Sequence, residues 1–191
     1  MLTFSLHPFP LLHTPRLLLR RCVTADVPAL FRMRADPEVM RYVARPLCQN
    51  EADAAKILQT MDERIEGNAG INWAVSWRQE PDSFLGVIGL FRLDADNHRG
   101  EVGYMLATPY WGQGLVSELL PVVMQYGFST LGLHSIEAVI DPDNHASRRV
   151  LEKSGFVQEA HFRQNWYFEG KYLDSVVLSA LVGPGHQAAT P

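Results

Sequence analysis

Cysteine is scarce in this sequence: among 191 residues there are only two, Cys22 and Cys48. Two thiols without C-x-x-C spacing build neither a disulfide framework nor a zinc site, so reduced thiols in a cytoplasmic setting are expected. An excess of either charge is lacking too. Seventeen basic against twenty-one acidic side chains leave a formal charge of −4, which argues against the broad basic face of a nucleic-acid binder. No apolar run approaches the roughly 20 residues that cross a bilayer. The apolar stretch from Met1 to His13 has no basic leader, is broken by Pro8 and Pro10 and offers no small-residue cleavage site, so neither a membrane span nor a signal peptide is expected. His7, His13, His98, His134, His145, His161 and His186 are scattered without ligand spacing, and no metal is assigned. Internal repeats and low-complexity tracts are absent as well.

What is present describes one globular domain, with 47% hydrophobic and 20% charged residues. Arg16 to Arg21 reads as a short strand after the Thr14-Pro15 break. Asp26 to Ala35 has helical spacing, with Thr24 as a possible cap, and is stopped by Asp36-Pro37. Asn50 starts a second helix whose face is Ala54, Ile57, Leu58, Met61 and Ile65, ending at Gly67-Asn68. Three strands follow, at 72–77, 84–93 and 101–107, joined by polar hairpin linkers. Ser117 to Leu131 reads as a helix in which Pro121 predicts a kink or a late start. A strand at 134–140, a helix at 146–153 ended by Gly155, and strands at 156–168 and 171–181 around Glu169-Gly170 complete a mixed α/β domain. Trp73, Trp77 and Trp166 fall in strands, as core or as the wall of a cleft.

The junction from Glu101 to Val116 carries the chemistry. A strand-like run feeds a turn holding Gly112 and Gly114, and that turn opens directly into a helix. Unpaired N–H groups and the positive end of the helix dipole then converge on one spot, a site for an anion such as a pyrophosphate. A dinucleotide fingerprint would need a third glycine and a Walker A loop a following Gly-Lys-Ser/Thr; neither is there.

A second segment, Asn144-His145-Ala146-Ser147-Arg148-Arg149 through Gly155-Phe156, stands downstream of that turn. Together with Thr14-Pro15-Arg16-Leu17-x-Leu19-Arg20, Asp36-Pro37-Glu38-Val39-Met40, Gly86-x-Ile88-Gly89-Leu90 and Glu101-x-Gly103-Tyr104, it resembles the GNAT superfamily of N-acetyltransferases. More narrowly, it is similar to the RimJ/RimL-like branch of ribosomal-protein N-terminal acetyltransferases. The resemblance implies a single α/β (α+β) domain over residues 14–181. Its centre would be a mixed, mostly antiparallel sheet of about seven strands flanked by about four helices. Residues 1–13 are expected as an N-terminal extension and 182–191 as a flexible tail.

The resemblance implies acetyl-CoA as acyl donor, with no metal. Gln113, Gly114, Leu115, Val116 and Ser117 would hold the pyrophosphate through backbone N–H groups. Leu106 would pair its backbone with the pantetheine arm and polarise the thioester carbonyl, and Asn144 and Ser147 match positions that touch the cofactor. Arg149 is either a phosphate contact or a solvated helix charge. Trp111 stands where the family pattern has Arg or Gln, and Val116 where it often has Gly or Ala; neither change removes a backbone donor.

The reaction so implied is direct attack of a neutral primary amine on the thioester. Glu101 is the candidate base and Ser147 a candidate proton relay. Many relatives carry a tyrosine acid where this chain has Leu151; Tyr104 and Tyr110 lie near the site in sequence but read as core or wall. Asp36, Glu38 and Arg41 fall where the branch shapes its acceptor pocket. A protein or peptide N-terminal α-amine is the leading acceptor, ahead of a small-molecule amine; a non-catalytic acyl-CoA-binding protein is the alternative from another class. No nucleic-acid or membrane partner is expected, and the chain would act as a monomer or homodimer.

Overall fold

The alternation of side chains along the middle strands decides where each helix packs. The computed structural model describes residues 2–183. Its strands are β1 Leu12–His13, β2 Leu17–Arg21, β3 Gly70–Trp77, β4 Gly86–Asp94, β5 Arg99–Leu106, β6 Ser135–Ile140, β7 Val157–Phe168 and β8 Lys171–Leu181. They form one sheet in the order β1-β2-β3-β4-β5-β6-β8-β7. The helices are α1 Val27–Ala35, α2 Pro37–Met40, α3 Glu51–Glu66, α4 Leu115–Gln125 and α5 His145–Lys153. Every strand pair is antiparallel except β5 with β6. The expected fold class holds, with one more strand, β1, and one more helix, α2, than the sequence reading has.

Trp73 and Val75, Ile88 and Leu90, Val102 and Leu106 point to one face, where α4 and α5 bury Leu115, Leu119 and Leu151 against them. Ala74, Val87 and Met105 point to the other face, under Leu30 and Met33 of α1 and Leu58 and Met61 of α3. The period of two in the strands thus splits the core into two layers, each matched by an apolar stripe on its helices. Residues before position 14 take part: Phe4 and Leu6 are buried, and Leu12 pairs with Leu19. The expected tail lies almost entirely outside the described residues.

Local signals set most boundaries. Asn50 caps α3 by accepting from the Asp53 N–H at 3.1 Å, and Asn144 caps α5 through the Ser147 N–H at 3.1 Å. Asp36 ends α1, as expected, and at once caps α2, its Oδ1 accepting from the Glu38 N–H at 2.9 Å. The helix α4 begins at Leu115, directly after the glycine turn, so Pro121 does not delay it; its cost is the missing N–H that would have bonded Ser117 C=O. From Tyr126 to Thr130 the chain continues as a π-helical turn. Glu169 and Gly170 both have positive φ, the geometry of a tight hairpin turn with the twist of its strands.

The segment carrying α1 is held to β2 by a largely buried ion pair. Arg20 donates from both terminal nitrogens to the two Asp26 oxygens at 2.7 Å, and the Val23 N–H adds 2.8 Å to Oδ2. The side chains are only 14% and 4% exposed. Asp26→Ala strands the guanidinium, so urea unfolding is expected to show a loss of about 3 to 5 kcal/mol.

Candidate active site

The site begins where β5 and β6 part company. They pair in parallel register at Arg99↔Ser135, Gly100↔Ile136 and Glu101↔Glu137, and there pairing ends. Yet β5 runs on to Leu106 along β4, and β6 to Ile140 along β8. Each strand follows its own antiparallel neighbour, and a wedge opens between them. Ala107 N–H donates to Leu85 C=O at 2.9 Å. Hydrogen-bonded and non-bonded pairs alternate in an antiparallel ladder, so the neighbouring Leu106 turns its own N–H and C=O toward the wedge. The carbonyl is taken by the Trp111 indole N–H at 2.7 Å. The N–H remains facing the gap.

The glycine turn lies at the mouth of this wedge. Gly112 and Gly114 have φ of 71° and 72°, left-handed values that a side chain disfavours. Gly114 is the N-cap of α4, without a side chain to satisfy the helix's first N–H groups. A Cβ built on either glycine would meet nothing within 4 Å. Open space in front of free donors from Leu115, Val116 and Ser117, at a positive helix end, fits an anionic group such as a pyrophosphate. Leu115 is buried and anchors the helix, while Gln113 folds back to donate to Pro109 C=O at 2.9 Å.

This turn is braced from far away in the chain. The Arg16 guanidinium donates to Gln113 C=O at 3.3 and 3.2 Å and to Glu118 Oε2 at 2.6 Å. Glu118 Oε1 accepts from the Arg16 N–H at 2.9 Å and from the Thr14 hydroxyl. Burial pushes the Glu118 carboxyl up, but the hydrogen bonds from Thr14 and Arg16, with the Arg16 charge, outweigh it and hold the group below its ordinary range. The Thr14-Pro15-Arg16 motif therefore fixes the carbonyl side of the turn, leaving its N–H side free.

The remaining sequence-predicted residues divide between the two faces. Asn144 spends its side chain on the Ser147 N–H, shaping the start of α5. Tyr104 shares the α4–α5 face with Leu106. Its hydroxyl is buried without a fully formed hydrogen bond, beside Ser147; burial raises its pKa and Ser147 opposes the rise. Leu151 is fully buried core, so no proton donor comes from that position. Glu101 lies on the opposite face, at the closed end of the wedge, paired with Arg92 at 2.7 Å. Burial raises its pKa, Arg92 pulls it down and Glu137, across the parallel pair, raises it again. Arg149 is exposed. On the acceptor-side loop, Asp36 Oδ2 accepts from the Thr108 hydroxyl at 2.7 Å, tying α2 to the end of β5.

Sequence reading missed three of these relations: the Arg16–Glu118 brace, the Trp111 bond to Leu106 and the approach of Tyr104 to Ser147. The first joins residues 102 apart, which no local pattern reveals. The alternation of β5 was the available signal for the third, since it puts Tyr104 on the face of the glycine-turn helix.

A sheet wedged open between parallel strands, with an uncapped helix N-terminus at its mouth, is the architecture of an acyl-CoA-dependent acetyltransferase. The chain belongs to the acetyltransferase (GNAT) domain family, which matches residues 16–157. It is 36% identical over 171 residues to the uncharacterized N-acetyltransferase YoaA of Bacillus subtilis (strain 168), covering 90% of this chain and 96% of that protein. In structure it is similar to RimL, a ribosomal L7/L12 α-N-protein acetyltransferase solved with coenzyme A. The TM-score is 0.82 at 19% identity, covering 91% of this chain and 98% of that one. A spermidine N-acetyltransferase from Vibrio cholerae, solved with CoA and spermine, aligns with a TM-score of 0.76 at 22% identity, over 86% of this chain and 95% of that one. No helix among the described residues is long and apolar enough to cross a membrane.

Two measurements test the turn. Gly114→Ala forces a left-handed alanine, costing about 1 to 2 kcal/mol of stability. It also puts a methyl in the space before the helix, so calorimetric CoA affinity is expected to fall tenfold or more. Unchanged affinity would remove the turn from the site. For Glu118, the lowered folded-state value means that the ionised group adds stability above the ordinary carboxylate pKa of about 4.3, and that this contribution is lost as pH falls through the lowered value. Wild type is expected to lose melting temperature more steeply than Glu118→Gln below about pH 4.3.

Proposed function

We propose that the protein transfers the acetyl group of acetyl-CoA to a primary amine, and that the acceptor is the N-terminal α-amine of a peptide or protein. One observation carries the reading. Strand β5 offers backbone donors to the wedge and places Glu101 and Tyr104 on opposite faces. An amine attacking from the α1–α3 side would then lose its proton on that side. The thiolate would leave on the α4–α5 side, where the cofactor's turn lies.

The roles follow from the chemistry of the step. The N–H groups from Gln113 to Ser117 hold the pyrophosphate. The Leu106 N–H lies on the strand edge along which the pantetheine arm extends, and donors on that edge stabilise the oxyanion formed from the thioester carbonyl. An amine attacks only when neutral. Deprotonation at pH 7 costs about 1 kcal/mol for an α-amine and about 4.6 for a lysine, so the α-amine suits a site whose base is a single carboxylate. Glu101 takes the proton through a chain of waters, because five residues of strand, about 17 Å, separate it from Leu106, where the thioester carbonyl is held. Burial keeps the Tyr104 phenol neutral. Together with Ser147 it can return a proton to the sulfur, a task that the buried Leu151 cannot do.

Free-thiol release, with acceptors ranging from peptide N-termini to spermidine and free amino acids, tests the proposal. Peptide α-amines are expected to give the highest kcat/KM; turnover restricted to spermidine overturns the acceptor assignment. Glu101→Gln should lower kcat about 100-fold with acetyl-CoA Kd unchanged. It should also abolish the acidic limb of the pH–rate profile set by the raised Glu101 pKa, leaving only the limb of the α-amine near about 7.8. Tyr104→Phe should cost about tenfold in kcat, since a thiol of pKa about 8.5 leaves tolerably well as an anion.

A further inference from the structure

The last turn of α1 and the segment between α1 and α3 carry Arg34, Arg41 and Arg45, and none of them forms an ion pair among the described residues. Arg34 is the anomalous one. Its Nε is buried without a partner, and its neighbour is the thiol of Cys48, itself buried. Burial lowers the Arg34 pKa, the adjacent Cys48 opposes this, and the charge of Arg45 adds to the lowering. A half-buried guanidinium with a second cation close by, and no ion-pair partner of its own, is unfavourable in the free protein.

Position ties these arginines to the site. Cys48 packs with Met33 and Val39 in the cluster that Met105 and Ala107, at the end of β5, also join. Cys48 N–H donates to Arg34 C=O at 3.1 Å, fixing the loop to α1. Arg45 reaches across to β7, its guanidinium 5.7 Å from the centre of the Trp166 ring. There the strand shifts register between Phe162 and Trp166. Asp36, two residues beyond Arg34, accepts from Glu38 N–H and the Thr108 hydroxyl and stays ionised, but it bonds neither arginine. The segment held to the end of β5 therefore carries guanidinium groups with no carboxylate partner among the described residues, Arg34 against the Cys48 thiol and Arg45 over the Trp166 ring.

We propose that Arg34 and Arg45 form an oxyanion subsite on the acceptor side, so that the preferred acceptor carries a carboxylate or phosphate group near its reacting amine. The proposal rests on the N-acetyltransfer reading above. The guanidinium fork matches such oxyanions in two-point geometry, and the same charges repel a polycation. The acceptor class is an acidic amino terminus: an α-amine whose first or second residue, or whose own carboxylate, supplies the anion.

Acceptor kinetics test it with five probes: a peptide beginning with Glu, its Lys counterpart, a phosphoserine-initiated peptide, free glutamate and spermidine. The Glu peptide is expected to exceed the Lys peptide at least tenfold in kcat/KM, with the difference in KM and reduced by salt. The phosphoserine peptide and free glutamate show which source of oxyanion is best used. Arg45→Glu, at an exposed position, should invert the Glu-over-Lys ranking while acetyl-CoA Kd and melting temperature stay unchanged; Arg34→Met is the second variant. Equal rates on the two peptides, or a ranking untouched by Arg45→Glu, overturn the subsite and leave N-terminal acetylation standing. Transfer to spermidine alone, or to none of the five with acetyl-CoA binding intact, overturns both.

Discussion

Two parallel strands that separate inside a sheet leave backbone donors and acceptors facing each other across a gap, and buried backbone groups must find partners. Much of this molecule is arranged around that requirement. Strand β5 stays with β4 and β6 with β8, so neither can follow the other after Glu101↔Glu137. The Trp111 indole meets one of the freed groups, the Leu106 carbonyl. A bound chain of pantetheine character, as proposed above, would meet the same need for the others. The wedge is thus a binding groove because it is an interrupted sheet.

In the proposed reaction, the same strand separates the two ends of the chemistry. Side chains alternate across β5, so odd and even positions serve different helix layers. Glu101 lies on the face opposite Tyr104 and Leu106, beside Arg92 and Glu137, while Tyr104 and Leu106 pack with α4 and α5. On that proposal donor and acceptor need no common pocket mouth, since they would approach the strand from its two faces. The brace of Thr14, Arg16 and Glu118 then has a specific task. It restrains Gln113 C=O and the first turn of α4, so the N–H groups of the turn are aimed by contacts that do not themselves occupy the anion's place. A carboxylate in the first turn of an anion-binding helix would otherwise compete with the anion it is meant to hold.

The sequence was informative wherever structure is decided within a few residues. The caps at Asn50 and Asn144, the stops at Asp36-Pro37 and Gly67-Asn68, the Glu169-Gly170 turn and the glycine turn before α4 follow from backbone chemistry that those residues carry with them. It was less informative where distant segments meet. Leu12–His13 is too short to be recognised as a strand without Leu18 and Leu19 opposite it, and Pro37–Met40 becomes a helix only because Asp36 caps it. At the site, the turn and Leu106 were legible from pattern and resemblance. The Arg16–Glu118 bond was not, since its partners lie 102 residues apart. Tyr104 was read as wall because aromatic residues in strands are usually core; what distinguishes it is a buried hydroxyl beside Ser147, a tertiary fact.

The acceptor side reverses a natural inference from composition. Asp36 and Glu38 near Arg41 suggest a loop suited to a cationic substrate, and the overall charge is negative. Placement decides otherwise. Asp36 is consumed in capping α2 and in holding Thr108, and Glu38 is exposed. Arg34, by contrast, is half-buried at the end of α1, with its Nε lacking a partner. The field felt by an incoming amine depends on which charges remain unpaired near β5, not on which are most numerous in the loop. Asp36 keeps its charge but is directed at the Glu38 N–H and Thr108 and not at either arginine, whereas a guanidinium without an ion-pair partner gains from any oxyanion that reaches it. On the two proposals together, the donor half of the site is determined mainly by backbone geometry, and the acceptor half by a small surplus of side-chain charge.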